Sequence, residues 1–182
     1  MADPDLQLVK AMANGDVHAL DALYARYGRS ILTYLIGLLN DRELAEEVLQ
    51  DVMLVAWRGA GQFRGESQVR TWLLAIARLQ AFNALRSRKF ASVPLAEDIA
   101  GDDADQFKMV ELHTEQESIR AALHQLPSDQ KETLELIFYH ELSGVEAAEV
   151  LGVAPGTIKS RLNRAKTTLR RILQRKEIDH ES

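Results

Sequence analysis

Residues 143–173, SGVEAAEVLGVAPGTIKSRLNRAKTTLRRIL, constrain this chain more than any other stretch, because they read as two helices around a tight turn. Ser143-Gly144-Val145-Glu146 has the Ser-x-x-Glu spacing of a capping box, in which each end's side chain takes up the other's spare backbone N–H. The first helix is therefore expected to start at Ser143, with Ala147, Ala148 and Leu151 as a small, close-packing face. Gly152 stands where a helix ending needs a left-handed residue, and Pro155 stands where the first turn of a second helix tolerates a missing N–H. The spacing is that of a helix-turn-helix.

In the second helix Ile158, Leu162, Ala165, Leu169 and Ile172 recur at steps of three and four. At about 100° per residue they form one buried stripe. Ser160, Asn163 and Thr167 fall opposite it, with Lys159 and Arg164 on its shoulders. From Pro155 to Lys176 there are eight bases (Lys159, Arg161, Arg164, Lys166, Arg170, Arg171, Arg175 and Lys176) and no acid. Ordinary solvated helices mix signs. Cations without one carboxylate among them suit a polyanion, since each phosphate they neutralise releases counterions.

The net charge of −5 would argue against nucleic acid if it were spread evenly, and it is not. Residues 1–90 carry 11 bases and 10 acids, residues 91–117 carry 1 and 8, and residues 118–182 carry 10 and 9. The middle holds the excess acid, so both ends remain able to present basic faces. A chain of 182 residues suffices for two small domains. With no cysteine, disulfides, thiol redox sensing and Cys-based zinc are excluded. His18, His113, His124, His140 and His180 stand far apart, so neither a metal nor a cofactor is expected. The longest apolar run, Ile31 to Leu39, is interrupted by Thr33, and the start MADPDLQL is acidic where a signal segment would be basic. A cytoplasmic protein with no direct membrane insertion is expected. No phosphate loop or nucleophile motif is present, and the adjacent carboxylates Glu46 and Glu47 point in different directions on a helix, so no enzyme is expected.

Taken in order, Pro4 to Ala13 reads as a short helix with Asp3 as its cap and Asn14-Gly15 as its stop. Asp16 to Leu39 holds a stripe of Leu20, Leu23, Tyr27, Ile31, Leu35 and Leu38, widened by Tyr24 and Tyr34. Asp41 to Ala60 is apolar at Leu44, Val48, Val52, Val55 and Ala56 and acidic in its first half; Asp41 and Glu43 suit the helix dipole there. Three glycines in GAGQFRGES, residues 59–67, forbid a continuous helix. Helical spacing resumes from Val69 to Arg86. From Arg58 to Lys89 there are seven bases and one acid, Glu66, interleaved with Trp57, Phe63, Trp72 and Phe82. Charge with aromatics suits single-stranded nucleic acid, although Trp57 and Trp72 are as large rings more often buried. Residues 91–117, with Pro94, Gly101 and a run of acids, read as a self-repelling connector. Ile119, Leu123 and Leu126 then line a helix ending before Pro127, and Ser128 is placed to cap another running through Leu134, Ile137 and Phe138.

The run Leu-Gly-Val-x-x-Gly-Thr-Ile-Lys-Ser-Arg-Leu-x-Arg-Ala, ending at Ala165, closely resembles the promoter-reading part of bacterial sigma factors. In so short a chain the resemblance is to the extracytoplasmic-function (ECF, group 4) members. Ala154 stands where that family usually has a capping Ser, a loss of about 1 kcal/mol. Glu46, Glu47, Gln50, Asp51 and Met53 are similar to the family's Ala-Glu-Asp-x-x-Gln-Asp/Glu-x-Phe pattern, with Glu47 for Asp and Met53 for Phe. Phe63-Arg64-Gly65-Glu66-Ser67 followed by Arg70-Thr71-Trp72-Leu73-x-x-Ile76-Ala77-Arg78 resembles the part that melts the −10 element and captures a flipped base. Such capture recovers unstacking energy in a pocket. Leu79 stands where Asn is common and Asn83 where Asp is common, so the base preference does not transfer.

The resemblance implies an all-α fold of two small helical domains joined by a flexible acidic linker. Residues 5–90 would be the sigma-2 bundle, 91–115 the linker toward the polymerase cleft, and 116–176 the sigma-4 helix-turn-helix. It implies docking of Glu46, Glu47, Gln50, Asp51 and Met53 on the β′ clamp helices of core RNA polymerase, with the β flap as a second contact. It implies −10 contacts from Phe63, Arg64, Gly65, Glu66, Ser67, Arg70, Trp72, Arg78 and Leu79. At −35, Thr157 would be among the DNA-binding residues, Lys159, Ser160, Asn163 and Arg164 would face bases, and Arg161, Lys166 and Arg170 would hold promoter DNA by its phosphates. An anti-sigma factor is a further implied partner. The alternative on the residues alone is a stand-alone helix-turn-helix regulator that binds DNA without polymerase.

Overall fold

The computed structural model describes residues 5–91 and 121–180, with side chains through Gln174. Every regular element among the described residues is helical. The chain divides into two compact units, one holding the first four helices and the other organised around the last. The linker beyond Ala91, the cap expected at Asp3, and Ile119 lie outside the described residues.

In the N-terminal unit α1 spans Leu6–Ala13 and α2 Val17–Leu39. Further on, α3 spans Arg42–Gly59 and is extended by a 3₁₀ turn at Ala60–Gln62, and α4 spans Val69–Ala91. Helix α1 begins later than the expected Pro4, and Asp5 at its N-cap position makes no capping bond. That carboxylate instead accepts a hydrogen bond from the Tyr27 hydroxyl and pairs with the Arg26 guanidinium. Tyr27 therefore ends in a polar contact at the edge of the stripe to which its spacing assigned it. Leu23, Ile31, Tyr34 and Leu35 fill the core, whereas Tyr24 is half exposed and lies along Gly28 on the outer side of α2.

The reversal from α2 to α3 takes two residues. Asn40 adopts the left-handed conformation at φ 49°, which its short polar side chain tolerates. Asp41 then caps α3 by accepting from the Leu44 N–H at 3.0 Å. Asp41 also receives Arg88 of α4 at 2.7 Å, and the Leu44 N–H followed by Arg88 holds its carboxyl below the ordinary 3.8. Helix α4 passes the expected stop at Arg86 and ends at Ala91. No Gly or Pro lies between to break it, and Arg88 latches that extra turn to α3.

In the C-terminal unit residues 121–124 are helical, α5 spans Ser128–Leu134, α6 Gly144–Leu151 and α7 Pro155–His180. The cap position of α5 is Pro127 and not Ser128, whose own place is the first helical residue. Leu126, Leu134 and Ala165 are buried together, with Leu123, Leu162 and Leu169 packed against them. A π turn, Glu135–Tyr139, follows α5, in which the His140 N–H reaches back to the Glu135 carbonyl and the Leu142 N–H to that of Leu136. One extra residue per turn shifts the helical phase. Phe138, on the helix expected to run through Leu134 and Ile137, is 67% exposed, and Tyr139 beside it is 60% exposed.

Burial pushes the Glu135 carboxyl up from 4.5 to about 7, with Lys131 opposing the shift and Glu132 adding to it. A carboxyl that ionises less readily folded than unfolded weakens the fold as it ionises. The penalty is absent well below pH 4.5, grows as pH rises toward about 7 and is complete above that. Glu135→Gln is expected to raise the melting temperature by about 4 °C at pH 8 and not at pH 4, as followed by circular dichroism.

Candidate nucleic-acid interface

The helix-turn-helix is built as its spacing requires. The Ser143 N–H donates to Glu146 Oε2 at 2.7 Å and the Glu146 N–H donates to Ser143 Oγ at 3.2 Å, which closes the capping box. At the far end of α6, Gly152 sits at φ 64°. Its N–H reaches the Glu149 carbonyl at 3.3 Å while the Val153 N–H reaches Ala148 at 3.0 Å. This paired ending satisfies carbonyls that the helix leaves open. Pro155 then opens α7, with the Thr157 N–H bonded to the Ala154 carbonyl at 2.9 Å.

Helix α7 is held by one side. Ile158 and Ala165 are buried, and Leu162, Leu169 and Ile172 are partly so. Lys159, Ser160, Asn163, Arg164, Lys166, Thr167, Arg170 and Arg171 are exposed, with Thr157 intermediate. Ser160 and Thr167 bond back to the carbonyls of Thr157 and Asn163, both at 3.0 Å, which keeps their hydroxyls against the helix. Arg161 differs: its side chain is 18% exposed and its Nε lies 3.4 Å from Asp129 of α5. The acid missing from residues 155–176 of α7 is supplied to this cation by a neighbouring helix.

The N-terminal unit carries a second cationic surface. Phe63 follows the 3₁₀ turn and stacks on Trp72 of α4, ring centroids 4.6 Å apart. Both rings are partly buried, so they act as a platform from which Arg64, Gly65 and Glu66 project, with Ser67 half-covered. Gly65 needs its φ of 71°, a conformation natural to glycine. Farther along α4 the Arg78 guanidinium lies 4.6 Å over the Phe82 ring. Leu79, Phe82 and Phe90 are exposed at 59%, 40% and 82%. Trp72, Leu79, Asn83, Arg86 and Phe90 share one side of α4 at roughly 100° per residue. Arg70 does not join them: nine residues from Leu79 is about two and a half turns, and its Nε is closed off from solvent. Phe90 was not singled out in the sequence because the helix was expected to stop short of it.

Helix α3 turns a third face outward. Glu46, Glu47, Gln50 and Asp51 are exposed, with Arg42 3.0 Å from Glu46. Met53, grouped with them by its motif, is 6% exposed and belongs to the core side of α3. Leu54, one residue on, is 50% exposed on the same side of α3 as the acidic residues, one turn beyond Gln50. Sequence reasoning missed it, although its spacing of seven from Glu47 and four from Gln50 was readable.

Among the described residues no three or more His, Asp or Glu side chains gather as metal ligands, and no helix is long and apolar enough to cross a membrane. The family model Sigma-70 region 2 matches residues 23–91, and that of Sigma-70, region 4 matches residues 116–169. The chain is 32% identical to the RNA polymerase sigma-H factor of Pseudomonas aeruginosa over 94% of its own length and 95% of that protein. It is 35% identical to the ECF RNA polymerase sigma factor SigM of Mycobacterium tuberculosis, over 93% and 84%. The chain belongs to the ECF sigma factors.

The solved sigma factor RpoE of Bartonella quintana, in complex with the anti-sigma factor NepR, is similar at 26% identity with a TM-score of 0.63, over 85% of this chain and 96% of that one. CnrH, solved with the cytosolic domain of CnrY, shares the fold at 21% identity and a TM-score of 0.69, over 94% and 98%. An ECF sigma factor is an RNA polymerase subunit for promoter-specific initiation, and the stand-alone regulator is set aside. Two all-α units are what this sigma factor has. In it, Arg161 and Asp129 are expected to be thermally coupled. Arg161→Ala and Asp129→Ala are each expected to lower the melting temperature, with a double-mutant coupling of about 0.5 kcal/mol after allowance for the exposure of Asp129. Arg164→Ala is expected to leave it unchanged.

Proposed function

We propose that this sigma factor divides its work among the three faces. The C-terminal unit, over about residues 116–176, lays α7 in the major groove of the −35 element. There Lys159, Ser160, Asn163 and Arg164 meet base edges, and Thr157, Lys166 and Arg170 meet phosphates. Arg161 serves by fixing the angle of α7 through Asp129. The N-terminal unit, over about residues 5–90, opens the −10 element. The loop of Arg64, Gly65, Glu66 and Ser67 on the Phe63–Trp72 platform takes the extruded base, with Arg78, Phe82 and Leu79 along its path. Residues 91–115 connect the two toward the polymerase cleft. Glu46, Glu47, Gln50 and Asp51 dock on the β′ clamp helices together with Leu54, an apolar residue on that side of α3, and Met53 shapes the surface from beneath. Exposed aromatic Phe138 and Tyr139 suit the contact with the β flap.

The single observation that supports this reading best is the exposed cation row of α7, acid-free over residues 155–174, from which among the described side chains Arg161 is drawn toward the fold. The protein works without catalysis of its own, in the cytoplasm, where core polymerase and promoter DNA are found. The relative solved with an anti-sigma factor supports a partner of that kind here.

Two measurements test the assignment. Charge reversal of Glu47 and Asp51 together, or Leu54→Ser alone, is expected to weaken capture by core polymerase about tenfold or more, with the melting temperature preserved. Normal capture by both variants would remove the docking face. Arg164→Ala is expected to cost about 1–3 kcal/mol on the cognate −35 duplex and little on random DNA. Lys166→Ala is expected to weaken both equally and to reduce the salt slope by about one unit.

A further inference from the structure

The loop read above as the strand-capture element rests on α1. A Cβ added to Gly65 would come within 3.3 Å of Leu6 Cδ1 and 3.6 Å of Leu6 Cδ2. The left-handed apex of the loop is therefore seated directly on the Leu6 methyl groups, in the first turn of α1.

Something must fix that first turn. An eight-residue helix has too few hydrogen bonds to hold itself in water. Val9 and Met12, both almost fully buried, anchor its middle and end. Its start is fixed by Asp5, whose side chain is 3% exposed and is clamped by Arg26 and Tyr27 of α2. A carboxylate so buried is stable only while paired, so the clamp leaves Asp5 one position, and Leu6 follows its backbone.

We propose that Asp5 and Leu6 are positioning residues for −10 strand capture: the clamp of Asp5 by Arg26 and Tyr27 sets Leu6 beneath Gly65 and holds the Arg64–Ser67 loop ready for an extruded base. This rests on the reading of that loop as the capture element. Preorganisation of a binding loop by packing beneath it is the usual means of holding such geometry. Its partner on the other side is the Phe63–Trp72 stack, so the loop is gripped from both flanks.

The test uses the full chain as Asp5→Asn, Leu6→Ala and Leu6→Met, with Arg88→Gln as a control that cuts a different ion pair in the same unit. Two readouts are taken: amide hydrogen exchange of residues 63–67, and permanganate reactivity of −10 thymines when each protein, bound to core polymerase, meets a promoter chosen by transcription from genomic DNA. Asp5→Asn and Leu6→Ala are expected to speed loop exchange about tenfold relative to α2 and α3 and to cut melting several-fold while capture by core polymerase is unchanged. Leu6→Met is expected to restore both, and Arg88→Gln to change neither. Loop exchange unchanged in both variants, or raised equally throughout the unit, overturns the proposal; the capture reading is then judged by Arg64→Ala, whose loss of melting does not depend on Leu6. Faster loop exchange with full melting overturns the proposal together with that reading.

Discussion

A helix can offer a row of cations to DNA only if its other side is held firmly, and in α7 the hold is a seam. Ile158 and Ala165 are buried, and Leu162 and Leu169 pack against Leu126 and Leu134. Apolar burial of this kind contributes about 25 cal/mol per Å² and is not screened by salt, whereas the attraction of the cation row for phosphates is. Arg161 adds direction to the seam by reaching Asp129. Remove the seam and the cations have no fixed relation to one another. With it, they repeat along one face at the pitch of a helix.

The N-terminal unit solves a different problem: it must expose a loop without letting the loop collapse. The Asn40–Asp41 reversal and the Asp41–Arg88 latch keep α3 and α4 together at one end. At the other end the Gly-containing loop is propped between a ring stack and α1. Polar contacts in this unit fix orientations more than they add stability, as exposed ion pairs usually do. The outward face of α3 is left acidic, on a helix whose opposite side is core, so one helix carries both a packing surface and a charged one.

Much of this was legible because the signals were local. The capping box at Ser143 and Glu146, the left-handed Gly152 and the opening Pro155 each depend on a few neighbouring residues, and periodicity found the stripes of α2, α3 and α7. Part of what was misread depended on contacts distant in sequence. Tyr27 was assigned to an apolar stripe because nothing in its spacing announces Asp5, and Arg161 was placed with the DNA-facing cations because Asp129 lies thirty-two residues away. The π turn that leaves Phe138 exposed makes no mark on the hydrophobic pattern, which read that residue as part of a continuing helix. Met53 was grouped by motif with its exposed neighbours, although its position on the helix, seen with the rest of α3, places it inward. Likewise Arg70 and Phe90 changed standing only when the sides and the true length of α4 were known.

Family membership makes promoter choice the central claim, and mapping the 5′ ends of transcripts tests it most directly. Core polymerase would transcribe fragmented genomic DNA with and without this chain. The account predicts a discrete set of start sites that arises only when the chain is present, that shares two upstream sequence elements at fixed spacing, and that shrinks as salt is raised. The same start sites with and without the chain, or new ones that share no upstream elements, would contradict it.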